Sequence, residues 1–220
     1  MVNKIKNGIV WVRTPKCATS TLAVHLQNFC EDSNIKFTGS TEHDTMAPNK
    51  YVNLGHLWSG NINWDVVKKE NRLVIGSVRN PFHRFLSHYK HYVFRERRFQ
   101  DYTKDISSFY LENYHNTHFE DKFRGMDNYL CKYLGVGDDD GWDKDLVKER
   151  YDFFFVSDQL EEGLSKFEKI IDYTFEDKDY KTNTTTQKLK ITPEFFRLFE
   201  ERNKNDFELY NYIQYEYGYR

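Results

Sequence analysis

Two stretches of this sequence gather the residue types that hold anions. The first is Thr14-Pro15-Lys16-Cys17-Ala18-Thr19-Ser20-Thr21. It puts a lysine and a run of hydroxyls where a short apolar run gives way to a helical pattern. A helix start presents unpaired backbone N–H groups and a partial positive charge, so a lysine and hydroxyls placed there can surround a phosphate. The stretch is not a Walker loop: the paired glycines and the closing Gly-Lys-Ser/Thr are missing, and the lysine precedes the hydroxyls. Its plainer reading is a Ser/Thr helix cap beside a solvent-facing lysine. The second stretch runs from Ser77 to Ser87 and contains Arg79, Arg84 and Ser87. A guanidinium and a hydroxyl converging on one phosphate is sound anion chemistry. Its plainer reading is Arg79 in a structural ion pair and Ser87 as a small packing residue.

The surrounding pattern predicts the elements that carry these stretches. Ile9-Val10-Trp11-Val12, Arg72 to Arg79 and Asp152 to Ser157 are short, nearly continuous apolar runs, as expected of strands buried on both faces. Leu22, Ala23, Leu26, Phe29 and Cys30 recur at helical spacing after the first. Asn80-Pro81 opens a helix after the second, with Phe82, Phe85, Leu86, Tyr89 and Val93 as its apolar stripe. Leu160, Leu164, Phe167, Ile170 and Ile171 follow the third, and Thr192-Pro193-Glu194 starts a C-terminal helical region running towards Tyr212. Strands alternating with helices predict an α/β chain, a P-loop-like three-layer fold whose central, mostly parallel sheet is flanked by helices, in a single domain over residues 1–220. Ligands of such sheets bind beyond the carboxyl ends of the strands, where both stretches fall. One ligand with two separated phosphoryl groups would need two such sites on neighbouring strands. An adenosine carrying a 5′-phosphosulfate and a 3′-phosphate has that shape.

Composition narrows the function classes. Lys and Arg total 32 against 34 Asp and Glu, a net charge of −2, which argues against a nucleic-acid partner. No apolar run approaches the roughly 18–20 residues of a membrane span, and the N-terminus shows no signal-peptide cleavage pattern. The expectation is a cytoplasmic or otherwise soluble protein. Cys17, Cys30 and Cys131 make no disulfide framework and no C-x-x-C, in keeping with a reducing compartment. Asp138-Asp139-Asp140, between Gly137 and Gly141, reads as a solvated acidic loop, and no constellation of metal ligands is visible.

Taken together, Arg13-Thr-Pro-Lys-Cys-Ala-Thr-Ser-Thr-Leu22 and Val78-Arg-Asn-Pro-Phe-His-Arg-Phe-Leu-Ser-His-Tyr89 resemble the two nucleotide-binding signatures of sulfotransferases. The resemblance is closer to the carbohydrate sulfotransferases, including the heparan sulfate 2-O group. Weaker likenesses at 128–135, 153–164, Lys181-Thr182, Pro193 and 206–210 extend it over nearly the whole chain. It implies 3′-phosphoadenosine 5′-phosphosulfate (PAPS) as donor, with adenosine 3′,5′-bisphosphate (PAP) as product. It implies a donor site of Arg13, Thr14, Pro15, Lys16, Cys17, Ala18, Thr19, Ser20 and Thr21 at the phosphosulfate and of Arg79 and Ser87 at the 3′-phosphate. Lys181 and Thr182 fall in its nucleotide-covering loop.

The resemblance also implies a base. A Gly-His in this region serves the glycan enzymes, which maps onto His56; Leu54 stands where the 2-O group has a further histidine, so Glu42 or His43 enters as a possible helper. Lys16 would stabilise the leaving group. The basic, aromatic run His88 to Arg98 offers Arg95, Arg97 and Arg98 as contacts to an anionic glycan, against the plain reading of a solvated helix face. A sugar hydroxyl leads as acceptor, with an amine, a tyrosine or a small alcohol behind it. Two other functions compete: a P-loop-like small-molecule kinase, and a non-catalytic glycan- or nucleotide-binding module. Oligomeric state is not legible.

Overall fold

The computed structural model describes residues 2–35, 37–38, 59–95, 105–113, 127–175 and 189–220. The apolar runs become strands β1 (Ile9–Val12), β3 (Leu73–Val78) and β4 (Phe153–Val156), all fully buried. A two-residue strand, β2 (Phe37–Thr38), was not foreseen. The four strands form one sheet in the order β2-β1-β3-β4, every pair parallel. This is the expected α/β architecture.

Alternation along the strands builds two cores. Val10, Val12, Val74, Val78, Phe154 and Val156 face one side. There they meet α3 (Trp64–Lys69), α6 (Tyr129–Leu134), α7 (Lys144–Arg150) and α10 (Lys204–Glu216) through Val67, Leu130, Leu134, Val147, Leu209 and Ile213. Ile9, Trp11, Leu73, Ile75, Phe153 and Phe155 face the other side. They are covered by α1 (Val2–Lys6), α2 (Thr19–Asp32) and α8 (Leu160–Ile171) through Ile5, Leu22, Leu26, Phe29, Leu164 and Phe167. Apolar side chains on both faces are what a parallel sheet requires. Gly76 pairs with Phe154, whose ring fills the space a side chain at 76 would take.

A third, aromatic cluster joins α4 (Pro81–Lys90), α5 (Ile106–Asn113) and α9 (Pro193–Arg202). Phe85 meets Tyr110 at 5.5 Å and Phe199 at 5.1 Å between ring centroids. Much of the aromatic excess is therefore packing. Both helix starts read from the sequence are present. The Asn80 side chain accepts from the Phe82 and His83 amides, and Thr192 accepts from Phe195, each with proline in the first turn. The C-terminal helical region expected towards Tyr212 is present as two helices. They break at Asn203, whose fully buried amide donates to the Phe199 carbonyl and the Tyr110 hydroxyl. The acidic run is a turn, with Asp139 held by Lys132 at 2.7 Å. Cys17, Cys30 and Cys131 are free and buried. Among the described residues no helix is long and apolar enough to cross a membrane.

Candidate functional site

The strand order places a switch point between β1 and β3. From β1 the chain crosses to β2 on one side, then returns to β3 on the other. The loops leaving β1 and β3 therefore diverge at the same edge of the sheet, opening a crevice of the kind that binds ligands in such folds.

After β1 the backbone turns tightly. Lys16 and Ala18 both take left-handed conformations, with φ of 67° and 55°. Helix α2 then starts at Thr19 with Ala18 as its cap and no side-chain capping bond. This overturns the plainer reading of a Ser/Thr cap. The backbone makes the turn, so the hydroxyls are not spent on capping and the first-turn amides keep no intrahelical acceptor. Successive amides around left-handed residues form a concavity suited to an anion. Thr14 and Cys17 are fully buried, and the Thr14 hydroxyl has no hydrogen-bond partner. Their side chains lie beneath the loop. Arg13, Pro15, Lys16, Ala18 and Thr21 are half-buried, Thr19 is nearly buried and Ser20 is exposed. Burial pushes the Cys17 thiol up to about 12, against the pull of Arg84 and Arg79, so it is a neutral packing group at ordinary pH.

After β3, Arg79 ends the strand and reaches back. Its Nη1 donates to the Lys16 carbonyl at 3.4 Å, so the two anion-binding stretches abut. Its Nε stands 3.4 Å from Asp158 Oδ1, an ion pair without hydrogen-bond alignment. Asp158 lies just past β4. Its carboxylate also accepts from the Asn80 amide at 2.7 Å, meets His83 Nδ1 at 3.1 Å and accepts from the Tyr210 hydroxyl at 3.4 Å. The structural ion pair considered for Arg79 thus exists, yet 30% of that side chain stays exposed at the strand ends. Ser87 is half-buried two turns into α4.

Arg84 is enclosed by its neighbours. Its side chain is 1% exposed, its Nε and Nη1 have no hydrogen-bond partner, and its guanidinium lies 4.1 Å over the Tyr129 ring. Tyr129 in turn stacks on Tyr133 at 5.3 Å. The nearby Asp206 is fully buried and accepts from the Leu130 and Cys131 amides at 2.8 and 2.9 Å. Burial pushes its carboxyl up, while those two amides and Arg84 pull it down. His88 shares the buried face of α4 with Arg84, one turn on. Burial, then Arg84, Lys16 and His91, hold its imidazole neutral, well below the ordinary histidine value. Lys16, Arg79 and the turn amides bring positive charge and donors to this edge, where Asp158 is exposed beside Arg79, while Arg84 and Asp206 are buried.

A family model described as the sulfotransferase family matches residues 1–213. The chain belongs to the sulfotransferase family. No curated protein and no solved structure matches it. A sulfotransferase is a transferase, and its reaction is the movement of a sulfuryl group to an acceptor. In this sulfotransferase the two signature stretches lie at adjacent strand ends. His43, His56, Arg97, Arg98, Lys181 and Thr182 lie outside the described residues, as do Glu42 and the side chain of Arg95. Sequence reasoning missed Asp158 and Asp206. Asp158 carried a signal, since it follows the third predicted strand at its carboxyl end, where functional residues of such sheets gather. Asp206 stood in the stretch 206–210 likened to the family, but nothing in that stretch marked it as a buried carboxylate.

Proposed function

We propose that this sulfotransferase uses PAPS as donor and a hydroxyl as acceptor, with a carbohydrate hydroxyl as the leading class. The observation that supports a single two-headed donor is the 3.4 Å contact from Arg79 to the Lys16 carbonyl, which joins both anion-binding stretches at one edge. The uncapped start of α2 and the left-handed turn at Lys16 and Ala18 fit a phosphosulfate. The partly exposed Arg79 and half-buried Ser87 fit a 3′-phosphate. The donor would supply the sulfuryl group: the acceptor O–S bond forms as the S–O bond to the 5′-phosphate breaks, PAP leaves with that oxygen, and the acceptor proton goes to the base.

The chain's own residues position and compensate charge. The amides of Thr19, Ser20 and Thr21 and the Lys16 ammonium offset negative charge growing on the bridging oxygen. Arg79 and Ser87 fix the nucleotide so that attack is in line. His56 is assigned as the base for the acceptor proton, and Arg95, Arg97, Arg98 and His43 as acceptor contacts. Lys181 and Thr182 are assigned to cover the nucleotide.

Transfer of labelled sulfate from PAPS to a panel of polysaccharides and small alcohols tests this reading, with ATP and Mg²⁺ as the kinase control. Lys16→Ala should lower turnover on the order of a hundredfold or more, the typical cost of a lost preorganised donor. Near-wild-type turnover in both Lys16→Ala and His56→Ala would overturn the assigned roles. PAPS binding with no transfer to any acceptor would favour a binding module, and phosphoryl transfer from ATP a kinase.

A further inference from the structure

We infer that Asp158 is a positioning residue for Arg79 and sets how selectively the site reads a 3′-phosphate; this rests on the assignment of Arg79 to that phosphate. An arginine at a half-exposed strand end has wide rotamer freedom, and a ligand that orders it loses affinity to that ordering. Here two contacts order it beforehand. Asp158 Oδ1 faces Nε at 3.4 Å, and the Lys16 carbonyl takes Nη1 at 3.4 Å. A guanidinium has five N–H donors, so an anion can still be met.

Asp158 is itself fixed. The Asn80 amide, His83 and the Tyr210 hydroxyl hold its two oxygens from the β3–α4 junction and from α10. The carboxylate cannot swing away when a ligand arrives. Its charge works against an anion site, since a carboxylate repels a phosphate. That opposition separates the possible roles. If Asp158 were only a charge, removing it would tighten every nucleotide. If it were only structural support, removal would weaken every nucleotide alike. A positioning role weakens the 3′-phosphate reading alone.

The experiment measures binding of PAP and of adenosine 5′-phosphate to the full chain, as wild type, Asp158→Asn, Asp158→Glu, Arg79→Ala and the Arg79→Ala/Asp158→Asn double variant. Melting temperatures are recorded for each. Asp158→Asn is expected to lower PAP affinity about fivefold, the upper end for a partly exposed ion pair, while adenosine 5′-phosphate stays within about twofold. Asp158→Glu, which keeps the carboxylate, should recover part of the preference. In the Arg79→Ala background the Asn change should leave the preference where it is. An unchanged preference, a parallel change for both ligands, or an equal loss without Arg79 would overturn the inference. If Asp158→Asn fails to fold, Asp158→Ser, which likewise removes the carboxylate, carries the same comparison. A wild type that binds both nucleotides equally, with Arg79→Ala likewise indifferent, marks failure of the Arg79 assignment itself. An intact Arg79 effect with a silent Asp158 marks failure of this inference alone.

Discussion

Lys16 and Ala18 stand in backbone conformations that ordinary residues adopt at a cost, and that cost can be set against turnover. A left-handed conformation disfavours an L-residue by about 1–2 kcal/mol. Glycine adopts it freely but loses about 0.5–1 kcal/mol more entropy on folding. At φ of 55° the Ala18 side chain makes no capping bond. Ala18→Gly should therefore stabilise the protein by about 0.5–1 kcal/mol, the size of such backbone effects. In a chain of this length that raises the melting temperature by about 1–4 °C. Lys16, at φ of 67°, gains the same relief on change to glycine but loses its ammonium. Lys16→Gly is expected to melt no lower than wild type and to turn over on the order of a hundredfold or more slowly. Calorimetry and a labelled-sulfate assay on the same preparations check both halves. Turnover within tenfold of wild type would refute the catalytic role. A melting temperature lowered by several degrees in both glycine variants would refute the backbone argument.

Asp206→Ala removes the acceptor for the buried Leu130 and Cys131 amides and the nearby countercharge to Arg84, and is expected to cost about 3–5 kcal/mol in urea unfolding. A loss below about 1 kcal/mol would contradict the assignment. His88 is held neutral below its unfolded value, so its share of stability is complete above about pH 6.5 and declines as pH falls, by at most about 1.4 kcal/mol per pH unit. His88→Gln should flatten the fall in stability between about pH 7 and pH 5, and identical slopes would count against it. Gly76→Ala drives a methyl into the buried Phe154 ring and should cost about 1–3 kcal/mol, recovered in part by Phe154→Leu. Recovery failing at Phe154→Leu would mean the strain lies elsewhere.

What was legible in the sequence followed from local chemistry. β1, β3 and β4 announce themselves because strands buried on both faces must be apolar throughout. Asn80-Pro81 and Thr192-Pro193 do so because cap and proline act within one turn. What was hidden depends on partners distant in the chain. β2 is only Phe37–Thr38 and exists through pairing with Ile9 and Val10. The break at Asn203 comes from its amide reaching Tyr110, 93 residues away. Arg84, in the second signature, gives no sign in the sequence that Tyr129 covers it. The cap of α2 misled for the opposite reason: three hydroxyls advertise capping, while the turn is made by two left-handed residues with no special signature.

The contacts that close the site are all remote in sequence: Arg79 to Lys16 spans 63 residues and Asn80 to Asp158 spans 78. The crevice therefore exists only after β1, β3 and β4 have zipped together, and a partly unfolded chain offers a nucleotide nothing to grip. Any molecule that lodges there acts as a clamp on the whole fold. At a hundredfold excess over its Kd it adds about 2.7 kcal/mol to the unfolding free energy. Heating the protein with a shelf of nucleotides, and watching which one delays melting, would name the donor before any acceptor is known.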